Sequence, residues 1–274
     1  MRICRFLQKY GAAVLINMGN LIPDVTIALL TWNRRRYLEV GLPSLFESLS
    51  NKLVHEILIM DNASTDGTTE FIENYVASNE EVKFIKNSRN IGLKGYNKLF
   101  GMAKGRVIIE VDDDVIDFPD KFDETLLDCI DVYSDYGFLS LDTIRNELTD
   151  GGRPCPGCGK MDERSSWVIE EGDARGYCAA FRRKDYRKIR PFTFFFPFSL
   201  RYPQDYVVSG LMRRLLKRRS GVVVGEKCLH ANGPLYAAKF GRVEIDLLKM
   251  AQSDCPERVE EYKKALREGR PYSP

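Results

Sequence analysis

Four short, apolar and largely β-branched runs recur along the first half of the chain, and a stretch of helical periodicity separates each from the next. Residues 24–30 (Asp-Val-Thr-Ile-Ala-Leu-Leu), 56–60, 82–85 and 107–111 have the length and composition of buried parallel strands. Between the first two, Leu38, Leu42, Leu45, Phe46 and Leu49 fall at helical spacing over 36–49, with Pro43 a bend. Phe71, Ile72 and Tyr75 mark a second helix, for which Ser64 or Thr65 is the expected N-cap. A third runs from Asn90-Ile91-Gly92 towards Ala103. Parallel strands need crossovers, and those crossovers must cover the sheet, so this β-α-β-α-β-α-β order admits few architectures. It predicts an α/β fold, Rossmann-like, with a mostly parallel central sheet flanked by helices. Ligands of such sheets bind beyond the carboxyl ends of the strands.

The fourth run ends in Asp112, Asp113 and Asp114. Three carboxylates at one strand end repel one another and call for a cation or open solvent. Oxygen ligands at that edge suit Mg²⁺ or Mn²⁺ shared with substrate phosphates. A solvated acidic turn capping the next helix reads equally well from the triplet alone.

Beyond the triplet the pattern changes. A helix is expected over 120–133, a strand over 136–141, and an irregular segment over about 146–166, a length at which loops are often functional or mobile. Order returns at 166–169 and 176–182. The run Phe192, Thr193, Phe194, Phe195, Phe196, Pro197, Phe198 has core packing as its first explanation and the lining of an acceptor cleft as its second. A helix over 205–218 and a strand over 221–224 precede His230, and the tail from Tyr236 reads as two polar helices split near 253–256. The expected organisation is an extension (1–23), two halves of one domain (24–118 and 119–235) and a helical tail (236–274).

With 274 residues, 44% of them hydrophobic, the chain can bury a sizeable core. Its 41 Lys+Arg against 39 Asp+Glu leave a net charge of +2, so nothing global points to nucleic acid. Arg2, Arg5 and Lys9 precede an apolar stretch over 11–22 that superficially resembles a leader; Asn17, Gly19 and Asn20 interrupt it, and it is too short to span a bilayer. An extra helix or packing arm is expected there. Seven cysteines without a credible export signal imply reduced thiols and cytoplasmic residence, with a peripheral membrane contact left open. Cys155-Pro156-Gly157-Cys158 is a C-x-x-C, but zinc takes about four ligands and only folding can add Cys178 and Cys228, so two ordinary thiols are expected. Arg213, Arg214, Lys217, Arg218 and Arg219 read as the solvent face of an amphipathic helix, or as an attraction to anionic lipid or acceptor.

Taken together, Leu30-Thr31-Trp32-Asn33-Arg34, the stretch from Met60 to Thr68, Asn90-Ile91-Gly92, Val111-Asp112-Asp113-Asp114, the stretch from Arg175 to Arg183, and Gln204-Asp205 followed by His230 resemble the family 2 glycosyltransferases. The resemblance covers about residues 24–232. It implies a GT-A fold with a smaller mixed acceptor-side region. It also implies metal-dependent, inverting transfer of a sugar from a nucleotide-diphosphate donor, UDP-sugars favoured, to a hydroxyl of a glycan, lipid-linked or other acceptor. In its terms Asp61, Thr31, Trp32 and Asn33 flank the nucleoside, and Lys94, Arg182 and Arg183 lie near donor phosphate or sugar. Asp112 and Asp114 are the outer acids of the D-x-D motif, holding Mn²⁺ or Mg²⁺ with His230, while Asp113 raises the local negative potential on the donor side. Asp205 is the catalytic base. Each position has a structural alternative: an Asx-turn for Asp61, core packing for Trp32, a solvated side chain for Lys94, a satisfied histidine for His230, an N-cap for Asp205. Gln204 departs from the family, in which an acid precedes the base, and so weakens any inference about the acceptor. Two other readings stand beside this one. A sugar nucleotidyltransferase ordinarily carries a glycine-rich, arginine-containing phosphate loop after its first strand, where this chain has Thr31-Trp32-Asn33-Arg34. A non-catalytic nucleotide-sugar or carbohydrate-binding protein would retain the scaffold alone.

Overall fold

The computed structural model describes residues 22–77, 82–196 and 198–272; the arm expected over 11–22 lies, but for Ile22, outside them. Strands β1 (Val25–Thr31), β2 (His55–Asp61), β3 (Val82–Lys86) and β4 (Val107–Asp112) alternate with helices α1 (Arg35–Glu47), α2 (Thr68–Val76) and α3 (Lys94–Met102). They pair in parallel in the order β3-β2-β1-β4, with Thr31 opposite Asp61 and Leu30 opposite Asp112. The carboxyl ends of β1, β2 and β4 therefore share one edge. Every residue of β1 is buried because alternate side chains enter two different cores. Ile27 and Leu29 pack with Leu38, Leu42 and Leu45 of α1 on one face. Ala28 and Leu30 pack with Tyr96, Leu99 and Phe100 of α3 on the other. At the opposite edge Gly105 lies so close to β1 that a Cβ would sit 2.4 Å from the Thr26 backbone nitrogen.

The second half contributes β5 (Val115–Asp117), α4 (Phe122–Val132), β6 (Tyr136–Thr143), β7 (Lys160–Asp162), β8 (Ile169–Glu171) and β9 (Cys178–Arg182). After these come α5 (Arg183–Thr193), α6 (Gln204–Leu216), β10 (Arg219–His230), α7 (Pro234–Lys239), α8 (Val243–Ala251) and α9 (Arg258–Glu268). The sheet continues β4-β9-β6-β10-β8-β7, and β5 pairs with β10. Strand β9 runs antiparallel to both β4 and β6, while β6 and β10 pair in parallel, so the parallel first half continues into a mixed second half. One sheet passes through both halves of the chain. No helix among the described residues is long and apolar enough to cross a membrane.

Several local expectations are corrected. Helix α2 starts at Thr68 with Gly67 as N-cap at φ 85°, not at Ser64 or Thr65. The Ser64 hydroxyl is spent on Asp61 and the Thr65 N–H on Asn33 Oδ1. The stretch read as an aromatic core run is partly helix α5, and Phe192, Phe194, Phe195 and Phe196 are 44%, 66%, 80% and 50% exposed. Of that run's described phenylalanines only Phe198 is buried. Cys155 and Cys158, expected as separate thiols, are joined by a disulfide: Gly157 at φ 80° and the Cys158 N–H to Cys155 C=O bond close a turn that brings their Cα atoms to 5.6 Å. The loop carrying them is tied down by buried Arg153, which donates to Asp142 Oδ1 at 2.6 Å and to Glu170.

Candidate active site

The carboxyl edge of β1, β2 and β4 forms the floor of a cleft of about 570 Å³. Thr31, Trp32 and Asn62 stand on its β1–β2 side, the aspartate triplet at its centre, and Gln204 and Asp205, at the start of α6, on its far side. Asp112 and Asp205 also border a second cavity of about 330 Å³, with Arg175 and His230.

Within the triplet each acid has different partners. Asp112, the last residue of β4, accepts from the Tyr96 hydroxyl at 2.8 Å, and burial followed by repulsion from Asp114 pushes its pKa up to about 7. Asp113 accepts from the Trp32 backbone N–H at 3.3 Å and lies 3.4 Å from Arg34 Nε. Burial raises Asp113 in spite of Arg34. Asp114 Oδ2 is 3.2 Å from Arg34 Nη2 and its Oδ1 is 3.1 Å from His230 Nε2. Burial works against its charge, yet Arg34 and His230 together hold Asp114 well below the usual carboxylate range.

His230 reaches the triplet because β10 runs twelve residues, far beyond the short strand expected, and ends beside β5. Its Nδ1 is 3.1 Å from the Gly151 carbonyl. A carbonyl only accepts, so Nδ1 carries a proton, and Nε2 carries one towards the Asp114 carboxylate, whose charge raises the pKa of the ring; loss of the Nε2 proton would free that lone pair for a cation. Single ligand atoms of Asp112, Asp114 and His230 lie within 4.8 Å of one another. Two carboxylates and an imidazole suit Mn²⁺ well and Mg²⁺ less well, so the residues present fit a hard or borderline divalent cation.

Asp205 is 5% exposed and accepts from Gly176 N–H at 3.0 Å and Tyr206 N–H at 2.7 Å. Burial raises its pKa against the pull of Arg175 and these backbone donors. Beneath it, Gln204 Nε2 donates at 2.6 Å to Glu110 Oε1, on a fully buried side chain in the middle of β4. Burial, then Asp112 and Asp205, raise Glu110 well above the carboxylate range. Glu110 Oε2 and Gln204 Oε1 are buried with no hydrogen-bond partner among the described residues. A proton on Glu110 supplies the missing donor between acid and amide.

The remaining expected residues fall in different places. Asp61 is buried outside the cleft lining, one oxygen accepting from Ser64 Oγ and the other from Thr69 Oγ1, each at 2.5 Å. Asn33, at φ 52°, accepts from Thr65 N–H and donates its own N–H to Ser64 Oγ, locking the β1 loop to the β2 loop. Lys94 is exposed at the start of α3 and does not line the cleft. Arg182 is corrected outright: antiparallel β9 pairs it with Val107 at the start of β4, at the opposite edge of the sheet. Its guanidinium donates to the carbonyls of Tyr136 and Ile130. Arg183 lies at that same far edge.

Other cleft residues had no assigned role in the sequence reading. Arg34 neutralises the triplet; its place just past β1 was the available signal. The C-terminal helices bring Arg242 and Lys249 over the cleft. Arg242 is 4% exposed, bonded to Asp246 Oδ1 at 2.9 Å and to the Asn33 carbonyl, and stands 5.7 Å from the Trp32 ring centre. Lys249 has no ion pair or hydrogen bond among the described residues. No local pattern in the tail pointed to either.

The model of glycosyl transferase family 2 matches residues 26–190. An uncharacterized glycosyltransferase of Methanocaldococcus jannaschii is 29% identical over 107 residues, 37% of this chain and 36% of that protein, so the match spans about a third of that relative. The mannosyltransferase PcManGT from Pyrobaculum calidifontis, solved in complex with GDP-Man and Mn²⁺, superposes with a TM-score of 0.55 at 15% identity, over 96% of this chain and 80% of that one. S. aureus TarS 1–349 in complex with UDP-GlcNAc gives 0.52 at 15% identity, over 90% of this chain and 71% of that one. At such identities the likeness is one of fold, and the fold is GT-A.

Proposed function

The chain belongs to glycosyl transferase family 2, and from that membership we propose that it moves a sugar from a nucleotide-diphosphate donor to an acceptor hydroxyl in a metal-dependent, inverting reaction. One observation carries the reading: ligand atoms of Asp112, Asp114 and His230 converge within 4.8 Å, the two acids on the floor of a cleft whose far side holds Asp205 and His230 in the adjoining cavity.

The nucleoside lies against Thr31, Trp32 and Asn62, with Trp32 offering a ring face. Asp61 and Asn33 serve it by fixing the two loops rather than by contact, and Lys94 has no part. The diphosphate lies over the triplet, where bound Mn²⁺ or Mg²⁺ would supply positive charge for the leaving group. Arg34, Arg242 and Lys249 add fixed cations around it, and such preorganised charge acts without reorganisation cost. Among the described residues Lys249 is the one of the three that makes no hydrogen bond or ion pair, so it is the cation open to a phosphate oxygen. Asp205 takes the proton from the acceptor hydroxyl; two backbone donors occupy part of its four lone-pair sites and leave room for that hydroxyl. Its raised pKa makes it a better base than an ordinary aspartate. Attack from the Asp205 side, opposite the diphosphate, inverts the anomeric centre. The similar structures hold GDP-Man and UDP-GlcNAc, so both nucleotide classes are donors to try; the acceptor is a glycan, lipid-linked or other hydroxyl. Four buried free thiols, Cys129, Cys178, Cys228 and Cys255, favour residence in the cytoplasm, and the Cys155–Cys158 disulfide counts against it.

The test is nucleotide release from UDP- and GDP-sugars with Mn²⁺ or with chelator. Turnover is expected only with metal, lost in Asp114→Ala and Asp205→Ala. Binding without turnover with any acceptor would leave a binding protein instead. An NMR product of retained anomeric configuration would remove the role given to Asp205.

A further inference from the structure

Helix α5 and the residues after it form a surface that neither the core nor the cleft uses. Its exposed positions, Lys184, Arg187, Lys188, Pro191 and Phe192, follow helical spacing and so make one continuous stripe. The stripe is cationic at its N-terminal end and aromatic at its C-terminal end. The aromatic character then extends through Phe194, Phe195 and Phe196, exposed by 66%, 80% and 50%. The only acid of α5, Asp185, is fully buried; it faces Arg182 and Arg218 and lies 3.9 Å from Lys188 Nζ. It offsets Lys188 alone, and no carboxylate of that helix pairs with Lys184 or Arg187.

Water-facing phenylalanines grouped in this way mark an interaction surface, and their cationic border states what the partner carries. We propose that this face docks on the surface of an anionic phospholipid bilayer, the phenyl rings entering the headgroup boundary and Lys184, Arg187 and Lys188 meeting the lipid phosphates. Rings beside lysines and arginines are the composition that binds in the plane of an interface. The patch is continuous with the active cleft: Phe198, two residues beyond Phe196, is buried and lines it, as do Ser199 and Leu200. Docking there sets the cleft mouth at headgroup level, which suits a lipid-linked acceptor. The surface needs no catalysis, so it stands or falls separately from the transfer reaction, and the acceptor statement alone rests on that reaction.

The test is sedimentation of the full chain with vesicles of phosphatidylcholine alone and with added phosphatidylglycerol. Binding is expected with the anionic vesicles, weakening as salt is raised, at about fivefold for each basic residue removed near the surface. Lys184→Gln/Arg187→Gln/Lys188→Gln and Phe194→Ser/Phe195→Ser/Phe196→Ser should each weaken it at least tenfold with circular dichroism unchanged. Phe195→Trp is the second probe: its emission should shift to the blue on vesicle addition beyond any change from Trp32 and Trp167. Equal binding of wild type and both triple variants, or no binding and no shift with anionic vesicles, overturns the proposal. So does lipid-free self-association that the phenylalanine variant abolishes, because the face would then be occupied by a second copy.

Discussion

Replacing Glu110 by Gln should change how stability depends on pH. Glu110 is fully buried in β4, and burial with the charges of Asp112 and Asp205 raises its pKa well above the ordinary value. The folded protein therefore keeps a proton on this acid to a higher pH than the unfolded chain, with its ordinary glutamate, does. Folding takes up that proton, so stability is fully present below the unfolded pKa near 4.5 and declines as pH rises towards the folded value. The slope for one proton is about 1.4 kcal/mol per pH unit. Glu110→Gln keeps the shape and an acceptor for Gln204 Nε2 but removes the titration. The difference between variant and wild type should therefore move in the variant's favour by about 1.4 kcal/mol for each pH unit between the unfolded and folded values. With a urea m-value of about 2–3 kcal/mol/M, that is a relative shift of about 0.5 M in the midpoint per pH unit. The assay is urea unfolding at pH 5, 6, 7 and 8 in chelator, and the readout is the change of the difference with pH, which a constant packing cost cannot imitate. Parallel curves for the two proteins would refute the reasoning, since they would mean that Glu110 is ionised in the folded state.

Three further substitutions test other parts of the account. Gly105→Ala places a Cβ against the β1 backbone at 2.4 Å, and overpacking of about 1–3 kcal/mol or more should lower the melting temperature by roughly 5 °C. Arg153→Met strands Asp142 and Glu170 in a buried site, so urea unfolding should show a loss of about 3–5 kcal/mol. Lys249→Ala should weaken UDP or GDP binding by about tenfold in calorimetry and leave the melting temperature unchanged, the loss expected when a charged hydrogen bond is removed.

The parallel half of the fold was legible because each strand there is a local pattern, short and apolar between helical repeats. Asp112, Asp114, Asp205 and His230 were legible as types at positions matching one family, and the fold brings the first two and His230 together. What escaped depends on long-range pairing. Nothing in 178–182 states that the strand runs antiparallel between β4 and β6, and that orientation alone sends Arg182 to the far edge. Arg242 and Lys249 sit in a tail whose own pattern is only polar and helical; they matter because the helices fold back over Trp32 and Asp113. Glu110 is the one acid within the apolar run 107–111, and it is the buried partner of the residue at which the chain departs from its family. The phenylalanine run was misassigned because hydrophobicity predicts burial, whereas here the helix before it turns those rings outward.

The central claim is that the triplet and His230 hold a divalent cation shared with a nucleotide diphosphate. Mn²⁺ titration followed by electron paramagnetic resonance, with and without UDP or GDP, tests it most directly. The account predicts one strong site on the wild-type chain, tightened by the nucleotide and lost in Asp114→Asn. Equal Mn²⁺ binding by Asp114→Asn, or nucleotide binding indifferent to Mn²⁺, would contradict it.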